Sequence, residues 1–267
     1  MFNPNPQEKY HHRSIKFKEI MKELDFAFKE KFDLWDYTLL FINGSGSLAN
    51  EIVISSFPYN FKIDSGFFFK FANQLKQLNK CHKKMFLPKK MMNVRYETSN
   101  STLNRGWYWL DDCVSSFPYY PIMSDVFTTV SSKQLGANAI ISIIGIHKNV
   151  MVPIIDNNSN LNINTYLETR EQYQTPHTPS INSYIDLLEK VKNFDLYNHR
   201  KKIDERMMRL SLRFKKEYDA PVYFISKESI NEEIAKKYDL YKVPGGYQIF
   251  TYAGTNEEFN QFMEDIK

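Results

Sequence analysis

An open α/β sheet followed by a small α+β domain is the fold class this sequence predicts, and three observations predict it. Short apolar runs suited to buried strands each end in polar residues. A glycine loop, Gly44–Ser47 (GSGS), follows the first run at once and leads into a helical stretch. After YQTPHTPS (173–180) the texture changes to two helices and then a strand–helix–strand–helix series. That shift places a boundary near residue 195, with residues 1–195 as a large domain and 196–267 as a small one. A chain of 267 residues has room for both.

The elements follow in order. Apolar positions Ile15, Phe17, Ile20, Met21, Leu24, Phe26 and Phe28 predict an amphipathic helix over 15–31. YTLLFI (37–42) reads as a buried strand, and LANEIVISS (48–56) as a helix with Ser47 as its cap. Residues 70–80 read as helical. Strands are predicted at 91–96, 107–110, 126–130 and 139–146, the second running into Asp111 and Asp112 and the third into Ser131, Ser132 and Lys133. Helices follow at 179–191 and 196–218. The last segment reads as strand 221–225, helix 229–237, strand 247–253 and helix 257–267. Ligands of open α/β sheets sit beyond the carboxyl ends of their strands, so those polar termini are where chemistry is expected.

Composition excludes several classes. No apolar run approaches the roughly 20 residues of a membrane helix, and 15% aromatic residues exclude disorder. MFNPNPQEKYHHR has no apolar core of a secretory signal, so the expected address is the cytoplasm. Cys81 and Cys113 lack the spacing of a metal site. Net charge is +4, too balanced to argue for nucleic acid, and the basic run at 200–216 reads as a solvated helix face.

Three features carry candidate chemistry. Gly44-Ser45-Gly46-Ser47 offers backbone N–H groups and hydroxyls at a helix start, which suits a phosphate. It also fits a dinucleotide loop, with Asp64 at the spacing of the acid, but Asp64 follows a short proline-broken stretch. Lys133 follows an apolar strand directly. A lysine partly withdrawn from water has a lowered pKa and can serve as a nucleophilic amine; otherwise it is a surface lysine. Asp112, at a strand end, calls for a cationic partner such as a protonated pyridine nitrogen, or else caps the next turn.

In order along the chain, these segments resemble the class V aminotransferases, which belong to the fold-type I family dependent on pyridoxal phosphate (PLP). Among the members, the segments resemble those of the 2-aminoethylphosphonate–pyruvate and alanine/serine–glyoxylate transaminases. The resemblance rests on HHRSIKFKEI (11–20), LLFINGSGSLANE (39–51), VRYETSNSTLN (94–104), LDDCVSSFPYYPI (110–122), VSSKQLGA (130–137) and YQTPHTPSI (173–181). It implies a three-layer α/β/α large domain with a small α+β C-terminal domain. It implies Lys133 as the Schiff-base lysine and Asp112 at the pyridine nitrogen. Ser45, Gly46, Ser47 and Ser132 would hold the phosphate, Phe68 would stack on the ring, and Thr98 or Ser99 would lie near its hydroxyl. Thr175 would reach the phosphate of a second subunit, which implies a homodimer with shared sites.

The resemblance also has departures. The chain is short for the family, Arg95 replaces a histidine, and Phe69 replaces a glycine. QIFTYAG (248–254) lacks the arginine that usually binds the substrate carboxylate, leaving Arg170, Arg95 and Arg13 as substitutes. The implied reaction transfers an amino group from a small amine or amino acid, phosphonate- or phosphate-bearing ones included, to a keto or aldehyde acceptor, with no nucleic-acid or membrane partner. Accumulation of the aminated cofactor would separate this from a lyase or decarboxylase of the same fold. Failure to bind PLP would indicate an inactive dimeric relative.

Overall fold

The structure is a computed structural model that describes residues 11–63, 87–98, 101–138, 140–154 and 161–266. The expected helix at 70–80 lies outside the described residues. Helix α1 (Ile15–Phe32) opens on Ser14, whose hydroxyl accepts from the Phe17 N–H, and ends at Asp33 in the left-handed region. Strand β1 (Tyr37–Asn43) then leads through Gly44 into α2 (Gly46–Ser56). The helix starts two residues earlier than its apolar pattern suggests. Ser45, not Ser47, is the cap, because its hydroxyl accepts from the Leu48 N–H.

The central sheet contains β1, β2 (Asn60–Ile63), β3 (Lys89–Val94), β6 (Tyr108–Asp112), β7 (Ser124–Val130) and β8 (Ile141–His147), in the order β1-β8-β7-β6-β3-β2. β2, β3, β6 and β7 are mutually parallel, and β8 runs antiparallel to both β7 and β1. β4 (Tyr96–Glu97) and β5 (Thr102–Leu103) form a short pair beyond the end of β3.

Alternation along the strands supplies both faces of the sheet. Leu39, Phe41, Ile141 and Ile143 join one core with α1 and α4 (Ile181–Asn193). Leu40, Ile42, Ile144 and Ile146 join a second core with α2 and α3 (Ile163–Glu171). The result is the three-layer α/β/α arrangement. No helix among the described residues is long and apolar enough to cross a membrane.

A third core gathers Ile203, Met207, Leu210, Tyr223, Ile225, Tyr247, Ile249, Phe259 and Phe262. These come from α5 (Leu196–Phe214), β9 (Val222–Ser226), β11 (Gly246–Phe250) and α7 (Asn256–Asp265). α6 (Glu232–Lys237) and the edge strand β10 (Tyr241–Val243) complete the unit. The cations of α5 are not merely solvated, as the sequence suggested. Arg200 donates to the Tyr119 carbonyl, Lys202 to that of Tyr252, and the buried Arg206 to those of Thr251 and Thr255. The helix uses its charge to satisfy carbonyls of the turns it packs against.

Candidate active site

The ends of β3, β6 and β7 and the start of α2 surround a cavity of about 310 Å³. Ser45, Gly46, Ser47, Asn50, Val94, Tyr96, Thr98, Asp112, Ser115, Ser132 and Lys133 are among its lining residues. This is the position an open α/β sheet offers a ligand.

At one end lies the first turn of α2. The leading N–H groups of a helix have no partner within it, and the helix dipole adds positive character there. Gly46 brings that turn against the next part of the site, since a Cβ on it would lie 2.3 Å from Val114 Cγ2. Ser45 and Ser47 lie on this turn, and Ser132 faces the same space from the end of β7.

Asp112 ends β6 and lines the cavity. One carboxylate oxygen accepts from Asn50 Nδ2 at 2.8 Å and the other from the Val114 N–H at 3.0 Å. Asn50 is itself fixed, because Thr128 Oγ1 donates to its Oδ1 at 2.6 Å. Asp111, the neighbour of Asp112, points to the opposite face of the strand, as the two-residue period requires. There it meets Arg95 and Asn93 in the interior. Burial pushes the Asp111 carboxyl up to about 6 against the pull of Arg95 and Asn93.

Lys133 is half-buried in the loop between β7 and β8, and its Nζ donates to Ser115 Oγ at 2.8 Å. The loop is closed at its base. The Ser131 N–H donates to the Ile141 carbonyl, the Ala137 N–H to the Ser131 carbonyl, and the Ile141 N–H to the Ser131 hydroxyl. Tyr96 forms part of the opposite wall. Its hydroxyl meets the Asp219 carbonyl at 2.7 Å and the Val222 carbonyl at 3.0 Å, and accepts from the Val222 N–H. Burial raises its pKa. Gln248 of β11 reaches the same wall by donating to the Thr98 carbonyl.

The structure thus brings Ser45, Gly46, Ser47, Thr98, Asp112, Ser132 and Lys133 to one cavity. Phe68 and Ser99 lie outside the described residues. Thr175 lies elsewhere, lining two separate hollows beside Tyr166, with its hydroxyl on the His177 carbonyl. Two of the three arginines considered for a substrate carboxylate, Arg95 and Arg170, are committed within the protein. Arg95, 2% exposed, donates to Asp111 and to the carbonyls of Asn104, Gly106 and Met123. Arg170 donates to the Leu39 carbonyl and to Asp25. Neither lines the cavity. Asn50 and Ser115, by contrast, were not singled out in the sequence. Asn50 sits beside Glu51 in its helix and gives no signal of burial, and Ser115 is marked only as a serine in the turn after an acid.

No family model matches the sequence, and no curated protein matches it. Solved structures do match the fold. A phosphoserine aminotransferase of Cytophaga hutchinsonii aligns with TM-score 0.72 at 17% identity, over 95% of this chain and 89% of that one. An alanine–glyoxylate aminotransferase of Nostoc aligns with TM-score 0.71 at 16% identity, over 96% and 88%. A phosphoserine aminotransferase of Trichomonas vaginalis, described as PLP-bound, aligns with TM-score 0.74 at 12% identity, over 97% and 90%. The chain has the fold of these aminotransferases.

Proposed function

We propose that this protein is a PLP-dependent aminotransferase. It transfers the amino group of a small amine or amino acid, phosphonate- or phosphate-bearing substrates included, to a keto or aldehyde acceptor. The observation that carries the reading is the convergence on one cavity of a lysine amine, a clamped carboxylate and a serine-flanked helix N-terminus. It is supported by the fold shared with aminotransferases.

The donor set fits the cofactor. The α2 N-terminus with Ser45, Gly46, Ser47 and Ser132 would hold the phosphate dianion. Asp112, oriented by Asn50 and the Val114 N–H, would accept from the pyridine nitrogen. Thr98 or Ser99 would lie by the ring hydroxyl, Phe68 would stack on the ring, and the Lys133 amine would reach the carbonyl carbon. When bound, PLP supplies an electron sink beside the substrate α-carbon. Lys133 would then take the proton from that carbon and return it, acting as general base and general acid in turn. Val94, Val114, Val130 and Ile140 provide apolar walls that limit water near the amine.

On this reading residues 1–195 form the cofactor-binding domain and 196–267 the small domain. Thr175 serves the site of a second copy, in a cytoplasmic homodimer. The test is the absorption spectrum of the purified protein before and after borohydride, beside Lys133→Ala. The expected result is a visible band that reduction abolishes and the variant lacks. A folded, colourless protein that ignores added PLP would overturn the reading.

A further inference from the structure

We propose that Ser115 is the positioning residue of the Lys133 amine, and that Gln134 and His199 brace Ser115 from behind, so that the seating of α5 is felt at the lysine. Calling Lys133 the reactive amine rests on the function proposed above. The contacts themselves do not.

The Lys133 side chain has many rotamers, and fixing it at one place opposes considerable rotational freedom. Ser115 Oγ, 2.8 Å from Nζ, supplies an acceptor that selects one position. A hydrogen bond from a charged donor is stronger than one from a neutral donor. The same contact therefore favours the ammonium over the free amine. Ser115 lies in the turn whose first N–H, that of Val114, is held by Asp112. One turn thus sets the lysine and the carboxylate together.

The brace comes from the residue after the lysine. Gln134 is 5% exposed, and its Nε2 donates to the Ser115 carbonyl at 2.7 Å. That contact fixes the amide orientation and leaves Oε1 as an acceptor. His199 Nε2, on the first turns of α5, lies 2.9 Å from Oε1. Since Oε1 only accepts, Nε2 carries the proton. Burial, with Lys202 and Arg200 beside it, keeps the ring neutral at pH 7, so this single N–H is the one available for the contact. Lys190, Glu189 and Asp195 line the hollow on its outer side. The contacts run from α5 through His199, Gln134 and Ser115 to Lys133 without interruption.

The test uses the full chain without cofactor. Acetic anhydride labelling of Lys133, read by mass spectrometry across pH, reports the fraction of free amine, and the other lysines serve as internal controls of folding. In Ser115→Ala the midpoint for Lys133 should fall by about half a pH unit or more, because the contact that favours the ammonium is gone. Ser115→Thr should restore it. Gln134→Met and His199→Leu should shift it in the same direction by less, while His199→Gln, which keeps a donor near the Nε2 position, should match the parent. A Ser115→Ala profile that superimposes on the parent, or one that Ser115→Thr fails to restore, overturns the positioning role. Shifts in the Ser115 variants without any in Gln134→Met and His199→Leu overturn the link to α5. A parallel addition of PLP separates the two claims. A parent protein that forms no visible band defeats the cofactor reading, and the labelling still decides the role of Ser115.

Discussion

Asn50 stands directly behind Asp112, 1% exposed, with its amide shared between that carboxylate and Thr128. Asn50→Leu keeps the volume but removes one donor from the Asp112 carboxylate and the acceptor of the buried Thr128 hydroxyl. The expected cost is about 1–3 kcal/mol in a urea titration, accompanied by weaker PLP binding. Asn50→Asp should be worse than Asn50→Leu, because it sets a second carboxylate against the first. That Asp112 and Lys133 come to one cavity was legible in the sequence, since each is a charge at or just past the end of a buried strand. Asn50 was not. An asparagine in LANEIVISS reads as a position facing water, and only the approach of β6 and β7 buries it. Arg95 was misleading for the complementary reason. A guanidinium near candidate site residues looks available until Asp111 and three carbonyls occupy it.

Among elements, the start of α2 is the most sensitive to small changes. Gly46→Ala would force a Cβ to within 2.3 Å of Val114 Cγ2, and valine is stiff at χ1. The helix turn and the Asp112 turn would then have to separate, lowering stability by about 1–3 kcal/mol. Thermal unfolding of the variant checks this, and an unchanged melting temperature would show that the contact yields freely. β1 and β8 were legible because they are mainly apolar runs, and β7 because it is rich in β-branched and aromatic residues; all three are buried on both faces. β2 and β10 were missed because they are short and carry little apolar pattern. α3 was missed because INTYLETRE presents no clear apolar stripe. The direction of β8 follows from the length of its connection. Residues 131–140 are too few to hold a crossover helix, so β7 and β8 had to pair antiparallel.

For the molecule as a whole, His199 makes stability depend on pH. Its pKa is lowered from 6.5 to about 4 by burial and by Lys202 and Arg200, so the unfolded chain binds the proton more readily. The contribution is complete above about pH 6.5 and declines as pH falls toward 4. The melting temperature of the parent should fall across that window more steeply than that of His199→Gln, and parallel curves would show that the ring titrates freely. The shift of texture near residue 195 anticipates the third core and the three-stranded sheet of the C-terminal segment. How that unit meets the rest was not legible, since Tyr96 and Gln248 reveal their partners only across more than a hundred residues of chain. Tyr96 has one further consequence. Its ring is cavity wall, while its hydroxyl holds the backbone at Asp219 and Val222. Displacing the C-terminal unit would therefore unseat one wall of the cavity, and probes in the two places are expected to report the same cooperative transition.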